Sequence, residues 1–397
     1  MTTVLGASPG ERLRTLRELL GLTGAALSDM SGMSKSWISQ VETKAREATE
    51  EGLRAVAEGT GTPMSFFYAR PSTIPRDSLH FRKLASASRT VTKRVQAFYG
   101  ESYRVSEDIL SDAEYPAPPL PYATTDDLMP EDIEELADTT REALRLASDK
   151  PIPNLTRAME RAGIAVAPIV LTDPAGEEQS ATQNHFGLSY WGGIGEAALV
   201  TYFPGSQGDR DRFTLAHELG HLVLHTFRPR AEDPETEANR FAAALLVPRE
   251  RAVTDITDRL SLTGYARLKA TWGVSIQALI MRGHAIGNLN DSRKRSLYVQ
   301  LTQRGWRKNE PVTVGQEKTI LLWTLLERQF GPKPYLTAAD RLAIHPTVLR
   351  SIAPTPRSKR SLAQPHSTAE GEVLQFRRSP GRQQGKRSSP PDAIAHG

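Results

Sequence analysis

The chain has 397 residues, none of them cysteine, with 24% charged residues, 39% hydrophobic residues and a formal net charge of +4 at pH 7. This length exceeds what a single hydrophobic core normally supports, so we expect two or three domains. The absence of cysteine excludes a disulfide-stabilised secreted domain and a thiolate metal site, so a bound metal must be held by His, Asp or Glu.

The sequence carries no sign of export or membrane insertion. Residues 1–10 contain neither clustered positive charge nor an apolar stretch, so we expect no secretory signal. The longest apolar stretch toward the C-terminus, residues 320–326, is far shorter than the ~20 residues of a membrane-spanning helix. These features predict a cytoplasmic protein without a membrane partner.

The positive charge is concentrated in residues 355–397, which contain eight Lys/Arg and three Asp/Glu. This segment is also rich in Ser, Pro, Gly and Gln, so it cannot bury enough apolar surface to offset the entropy of ordering. We expect a disordered basic tail, which either solubilises the protein or contacts phosphate groups.

Residues 1–70 form the first predicted domain, because their apolar residues have the spacing of several short helices. Two of these helices, over residues 23–30 and 34–42, are joined by a turn at Gly32. A glycine at this place allows the tight turn of a helix-turn-helix.

The second helix of this pair is predicted to face DNA. Ser34 is a good N-cap, and Ile38 and Val41 are expected to be buried. The outward residues suit the major groove, since Gln can pair with adenine, Ser can bind base edges or phosphate, and Lys can neutralise phosphate. The expected DNA-binding residues are Lys35, Ser36, Ser39 and Gln40.

The same block resembles the Cro/C1-like (XRE) helix-turn-helix repressor domain. The resemblance is carried by Arg12-Leu13, Arg17, Gly21-Leu22-Thr23, Gly32-Met33-Ser34, Ile38-Ser39 and Glu42. It implies double-stranded operator DNA as a partner and a homodimer that reads two half-sites. Two positions depart from the family, because Gly24 stands where a phosphate-contacting Gln is usual and Lys44 where a turn Gly is usual. Since residues 1–70 hold eight basic and eight acidic residues, a domain that binds protein or has lost DNA affinity is the alternative.

Residues 71–129 are predicted to connect two folded units. Residues 79–110 have a helical pattern, and residues 115–127 are rich in proline and end with acidic residues. We therefore expect a helical segment followed by an extended acidic linker.

The second folded unit, residues 130–311, mixes helices and strands. We expect helices over residues 131–147, 154–162, 212–225 and 234–246, and strands over residues 164–171, 186–191 and 197–203. Residues 312–354 continue as a helical segment. The predicted fold class is multidomain, with an all-α helix-turn-helix domain, an α+β domain with a small sheet and a disordered C-terminal tail. Residues 268–286 have the shape of a second helix-turn-helix or, alternatively, of ordinary packed helices.

Residues 217–221 read His-Glu-Leu-Gly-His within a helical pattern. Residues four apart lie on one helix face, so His217 and His221 can direct a nitrogen to one metal ion, and Glu218 can reach the water that the ion holds. Imidazole and carboxylate ligands suit Zn²⁺, which leaves one position open for water. The motif predicts hydrolysis with Glu218 as the catalytic base, although it also occurs by accident on amphipathic helices.

The next predicted helix offers a third metal ligand. Glu235 and Asn239 lie one turn apart, so Glu235 can complete a His2Glu site and Asn239 can hydrogen-bond a ligating imidazole. Glu237, on a different side of the helix, is the other candidate ligand, and a solvated pair of surface glutamates is the structural alternative. A hydrolase also needs a donor for the developing oxyanion, and the candidates are His225, Tyr190 and His185.

The segments around residues 212–221 and 235–248 resemble the ImmA/IrrE family of zinc metallo-endopeptidases. Residues 151–155 and 163–166 upstream and residues 272–279 and 305–311 downstream extend the similarity. The resemblance implies a zincin-like fold over residues 130–311, a Zn²⁺ cofactor with Mn²⁺ as the alternative, and hydrolysis of a peptide bond.

The combined interpretation is a DNA-binding transcriptional regulator that carries a zinc endopeptidase domain. The family resemblance implies control of a stress response, a mobile element or a toxin–antitoxin locus through cleavage of a helix-turn-helix repressor, or of this chain itself near residues 70–127. The alternatives are a repressor whose peptidase-like domain senses a ligand without cleaving, and an antitoxin that binds its toxin.

Overall fold

The computed structural model describes residues 8–74, 89–171, 187–205, 207–228 and 231–356. The described residues all belong to one compact unit, Met1–Pro356. The basic tail that was predicted to be disordered lies almost wholly outside the described residues, as do His185 and the first residue of the strand predicted over residues 186–191. No helix in the described ranges is long and apolar enough to cross a membrane.

The N-terminal part of the structure consists of short helices, as predicted. They are α1 (Pro9–Leu19), α2 (Gly24–Ser31), α3 (Lys35–Glu42), α4 (Glu50–Thr60) and a 3-10 helix (Met64–Tyr68). Each α-helix is directly preceded by a Ser or Thr whose side chain accepts a hydrogen bond from the third backbone N–H that follows. Such caps satisfy a donor that the first helical turn leaves open.

The turn between α2 and α3 lies at Gly32, which has a φ of 70° and therefore a conformation that glycine adopts without strain. In α3, Ile38 and Val41 are buried as expected. Trp37 is buried as well, and its ring lies so close to Gly52 of α4 that any Cβ at position 52 would clash with it. This contact fixes how α3 packs on α4.

A long helix, α5 (Arg89–Asp112), follows the N-terminal helices and agrees with the later part of the helix predicted over residues 79–110. The proline-rich segment after it is extended but packed. Leu120 and Ala123 are buried, and the Ala123 N–H donates to the Val223 carbonyl at 3.0 Å. Composition indicates only that this segment lacks regular structure, whereas its packing depends on a surface far along the chain.

The second part is built around a three-stranded sheet. Its elements in chain order are α6 (Pro130–Ala143), α7 (Leu155–Arg161), β1 (Ile164–Pro168), β2 (Gly187–Trp191), β3 (Ala198–Tyr202), α8 (Gly208–His225) and α9 (Pro234–Leu246). The strand order is β1-β3-β2, with β1 parallel and β2 antiparallel to β3. Among the described residues β2 is therefore an edge strand, and α8 packs against both β2 and β3.

Helices complete the described chain. They are α10 (Arg249–Asp255), α11 (Leu262–Trp272), α12 (Ile276–Ala285), α13 (Asp291–Gln303), α14 (Leu321–Phe330), α15 (Tyr335–Arg341) and α16 (Pro346–Ile352). α11 and α12 do form two consecutive helices, but Arg282 on α12 is buried and pairs with Glu134. This arginine is part of the packing and faces no DNA.

The two faces of the sheet belong to two hydrophobic cores. On β1, Ala165 and Ala167 pack in one core, and Ile164 and Val166 pack in the other, because successive strand residues point to opposite faces. The first core also contains residues of α1 to α5 and α14 to α16, and the second contains residues of α6 to α13. The helix-turn-helix and the C-terminal helices thus share one core with a face of the sheet.

Candidate metal centre and DNA-facing helix

His217, His221 and Glu235 bring their ligand atoms together between α8 and α9. The Nε2 atoms of the two histidines are 3.1 Å apart, and the Glu235 carboxylate oxygens lie 3.5 Å from His217 Nε2 and 3.7 Å from His221 Nε2. Among the described residues, these three are the group whose side chains could hold one metal ion.

The close approach of α8 and α9 makes this convergence possible. Gly220 lies between the two histidines in sequence, and a Cβ there would be 3.0 Å from the Phe241 ring and 3.3 Å from the Ala238 backbone. α9 begins at Pro234, after Asp233 caps it by accepting a hydrogen bond from the Thr236 N–H. Glu235 therefore stands in the first turn of α9, opposite the histidines.

α8 begins at Gly208, four residues before the predicted start. The first turn lacks an apolar periodicity, but Asp209 and Asp211 lie in it, where acidic side chains stabilise the N-terminal end of a helix. Gly208 lies directly against the Gly315 carbonyl, where a Cβ would clash. This contact comes from a segment that is far away in the sequence.

Asn239 makes the contact that the sequence predicts for it. Its Oδ1 lies 3.0 Å from His217 Nδ1. An amide oxygen only accepts, so Nδ1 carries the proton and Nε2 keeps its lone pair for a metal ion. Burial lowers the pKa of His217, but hydrogen bonding to Glu235 and the charges of Glu218 and Glu235 outweigh it and raise the pKa above its usual value.

Glu218 is buried beside this group and points toward the edge strand. Its Oε2 accepts a hydrogen bond from Ser189 Oγ at 2.7 Å. A Cβ at Gly187 would lie 2.7 Å from the Glu218 carboxylate, so a larger residue there would displace the carboxylate from its present position. Burial raises the pKa of Glu218 to about 7, although His217 and the hydrogen bond from Ser189 act in the opposite direction.

Sequence reasoning missed the roles of Ser189 and Gly187. The alternation of β2 places both on the face toward α8, whereas Tyr190 packs edge-on against Tyr103 of α5 at 4.8 Å between ring centroids. Tyr190 therefore lies on the other face of the sheet and is not available as an oxyanion donor. His185 is outside the described residues.

Glu237, the other candidate ligand, is engaged elsewhere. Its Oε2 lies 3.0 Å from His225 Nε2 and 2.9 Å from Arg228 Nη1. The other nitrogen of His225, Nδ1, lies 2.9 Å from His221 Nδ1. Of the two glutamates, Glu235 is the one that faces both histidines.

The donor set fits a zinc ion. A tetrahedral ion with ligands at about 2.0–2.1 Å holds its ligand atoms about 3.3 Å apart, which is close to the separations of 3.1, 3.5 and 3.7 Å. Two imidazoles and one carboxylate, with a fourth position open, are the ligands of catalytic zinc sites. The same donors also accept Mn²⁺, so they do not fix the identity of the metal.

On α3, the four residues predicted to bind DNA are exposed, and the helix has an open polar face formed by Lys35, Ser36, Ser39 and Gln40. The helix is tied to α1 by Arg17, whose guanidinium donates to both oxygens of Glu42, the last residue of α3, at 2.6 and 2.7 Å. Lys44, in the turn that follows, has a φ of 62°. That left-handed conformation explains why glycine is usual at this position in the repressor family.

Two family models match the chain in the places that the motifs indicate. Residues 10–64 match a helix-turn-helix domain, and residues 201–284 match the IrrE N-terminal-like domain. The second match includes the two histidines, Glu218, Glu235 and Asn239. No curated protein matches the chain.

Residues 10–64 are thus similar to a helix-turn-helix domain, and residues 201–284 are similar to the IrrE N-terminal-like domain of a peptidase family. These matches confirm the pair of domains that the sequence motifs resemble. The fold agrees with the predicted class, since helices form the first domain and a small mixed sheet with helices forms the second. A helix-turn-helix domain supports DNA as a partner.

Proposed function

We propose that this protein is a DNA-binding transcriptional regulator whose second domain is a zinc-dependent endopeptidase. The observation that carries the proposal is the convergence of His217, His221 and Glu235 beside the buried carboxylate of Glu218. A pure sensor has no need of a proton acceptor beside its metal. The substrate is a repressor-type protein, and its cleavage changes transcription in a stress response, a mobile element or a toxin–antitoxin locus.

A Zn²⁺ ion held by the two histidines and Glu235 would act as the Lewis acid for peptide hydrolysis. Glu218 takes the proton from the attacking water and passes it to the leaving amine. Ser189 holds the Glu218 carboxylate in place through its hydrogen bond. Among the described residues β2 pairs only with β3, so its outer edge can bind an extended substrate through main-chain hydrogen bonds.

A separate repressor fits better as substrate than residues 115–127 of this chain. Ala123 is bonded to α8 and the Asp126 carbonyl accepts a hydrogen bond from the buried Arg228. Self-cleavage in this segment would require both contacts to break first. Mass spectrometry of the intact chain after prolonged incubation with zinc distinguishes the two substrates.

The DNA part of the proposal assigns operator binding to a homodimer. Lys35, Ser36, Ser39 and Gln40 form the face of α3 that enters the major groove. Because two half-sites are read by two copies of such a domain, the dimer is the form that binds the operator tightly.

A second candidate function, a repressor whose peptidase-like domain senses a ligand without cleaving, is favoured by one observation. The first hydrophobic core joins the helix-turn-helix to the face of the sheet opposite to the one that packs on α8 and the metal centre. A change at the sheet can therefore reach the DNA-binding domain through packed residues.

The test compares the wild type with Glu218→Gln, which keeps the size of the side chain and removes its charge. We expect each protein to bind about one zinc per chain, and only the wild type to cleave a candidate repressor, as read by intact mass. If both bind zinc and operator DNA but neither cleaves any candidate, the sensor-repressor becomes the better interpretation.

A further inference from the structure

His225, Glu237 and Arg228 form a hydrogen-bonded chain behind His221. We propose that this series of hydrogen bonds positions His221 as a metal ligand. His225 then holds the second histidine of the centre, as Asn239 holds the first. The inference rests on the proposed metal site, and it assigns His225, Glu237 and Arg228 as positioning residues that do not touch the metal.

The distances define one continuous path. His221 Nδ1 lies 2.9 Å from His225 Nδ1, His225 Nε2 lies 3.0 Å from Glu237 Oε2, and Arg228 Nη1 lies 2.9 Å from the same oxygen. The side chain of Arg228 is 1% exposed, and that of His225 is 12% exposed. The path thus runs from the metal centre to a buried cation.

The direction of each hydrogen bond follows from the far end of the path. A carboxylate beside Arg228 only accepts, so His225 Nε2 must donate to Glu237. A neutral His225 ring that donates from Nε2 has its lone pair on Nδ1. This nitrogen accepts the proton of His221 Nδ1, and His221 keeps its Nε2 lone pair on the side of His217 and Glu235.

Three histidines one helical turn apart therefore have two different tasks. His217 and His221 present Nε2 to the same point, whereas both nitrogens of His225 are used behind His221. His225 is consequently not available as the oxyanion donor that the sequence suggests. Arg228 also donates to the Asp126 carbonyl, so the path ends on the extended segment before α6.

The first test measures zinc affinity by competition with a chromophoric chelator, without any substrate. His225→Phe keeps a ring of similar size and removes both nitrogens, and we expect it to weaken zinc binding about 10–100-fold, as loss of a ligand's hydrogen-bond partner does. Glu237→Gln keeps the shape of the side chain and removes its charge, and we expect a smaller loss of zinc affinity. His225→Gln, which offers an acceptor and a donor, should recover part of the affinity.

His284→Phe is the matched control, because the side chain of His284 on α12 bonds only Asp291 and Lys294 among the described residues. We expect it to bind zinc like the wild type. Far-ultraviolet circular dichroism of each variant without zinc checks the fold. If His225→Phe and Glu237→Gln are both folded and bind zinc within twofold of the wild type, the inference is wrong while the metal site stands. A wild type that binds no zinc overturns both.

The second test reads the tautomers directly in the zinc-loaded full chain by nitrogen-15 NMR of the histidine rings. We expect His225 as the neutral Nε2–H form, and His221 with its proton on Nδ1. A His225 ring that carries its proton on Nδ1 overturns the inference, because it could not accept from His221. This readout does not depend on catalytic activity.

Discussion

Glu101 of α5 lies between the guanidinium groups of Arg12 and Arg104, and all three side chains are almost fully buried. Arg12 also donates to the Phe66 carbonyl, and Arg104 donates to the Leu342 carbonyl. One buried carboxylate therefore ties α1, α5 and the C-terminal helices together. Removing one partner from such a group leaves buried charges without compensation, which costs about 3–5 kcal/mol.

The stability of the protein should depend on pH through Glu101. Burial raises the pKa of Glu101, but Arg104 and Arg12 outweigh it and lower the pKa from 4.5 to about 2. A folded-state pKa below the unfolded value means that this stabilisation is present above about pH 4.5 and is lost as the pH falls toward 2. The difference corresponds to about 3 kcal/mol.

We expect Glu101→Gln to lower the free energy of unfolding at pH 7 by about 3 kcal/mol or more and to flatten its decrease between pH 5 and 3. Urea unfolding at several pH values measures both effects. Glu107→Gln on the same helix is the control, because Glu107 pairs with Arg70 at the surface and should change stability by less than about 1 kcal/mol. If the free energy of unfolding falls equally steeply between pH 5 and 3 in the wild type and in Glu101→Gln, this account is wrong.

The backbone conformation of Lys44 should lower the free energy of unfolding by a measurable amount. Its φ of 62° places a side chain in the left-handed region, at a cost of about 1–2 kcal/mol. Its ammonium pairs with Glu11 at 2.7 Å, but the Lys44 side chain is 60% exposed, so the pair contributes little.

We expect Lys44→Gly to raise the free energy of unfolding by about 0.5–1 kcal/mol, because glycine adopts this conformation without strain. Lys44→Ala removes the same charge but keeps the Cβ, so it should gain nothing. Denaturant unfolding of the two variants separates the backbone effect from the effect of the charge. A Lys44→Gly variant no more stable than Lys44→Ala would show that the turn is not strained.

At the level of single elements, α3 is expected to divide its DNA contacts between phosphate and base. Lys35→Ala should weaken binding to all DNA sequences about equally and reduce the salt dependence by about one counterion. Gln40→Ala should instead reduce the preference for one base, by about 1–3 kcal/mol. Fluorescence anisotropy over a range of salt concentrations, with cognate and altered duplexes, measures both.

Lys333→Ala is the control for charge, because Lys333 is exposed in the C-terminal part of the structure. We expect it to leave DNA affinity nearly unchanged. If Lys35→Ala and Lys333→Ala have the same effect, the exposed face of α3 does not bind DNA, and the protein-binding interpretation of this domain gains support.

Local sequence predicts most helix ends because the groups that cap a helix lie within a few residues of its ends. Ser34 and Thr23 mark the starts of α3 and α2, and α9 has its predicted bounds, Pro234–Leu246. The metal-ligand candidates follow from the same local geometry, since His217 and His221 are one turn apart.

Contacts between distant segments are not visible in the sequence. Ser189 and Glu218 are 29 residues apart, and only the packing of β2 on α8 brings them together. Gly208 at the start of α8 contacts the Gly315 carbonyl, and Ala123 in the proline-rich segment donates to the Val223 carbonyl. His225 belongs to this group as well, because its partner Glu237 lies on another helix.

The helix-turn-helix domain is hydrogen-bonded to the C-terminal helices. His345 Nε2 lies 3.0 Å from the Thr60 carbonyl at the end of α4, and Ser65 donates to the Asp340 carbonyl at 3.1 Å. The C-terminal helices also pack with α5 and β1. The part of the chain whose role the sequence leaves open is thus a structural bridge between the two domains.

Leu326 of α14 is fully buried in this shared core, so Leu326→Ala should lower the free energy of unfolding by about 2–5 kcal/mol. Leu336→Ala is the matched control, because Leu336 is 76% exposed and its loss should change stability by less than about 0.5 kcal/mol. Because one core joins both domains, we expect the urea midpoint for loss of DNA binding and the urea midpoint for release of zinc to decrease together in Leu326→Ala. Two separate midpoints, of which only one moves, would mean that the helix-turn-helix domain and the metallopeptidase-type domain unfold independently.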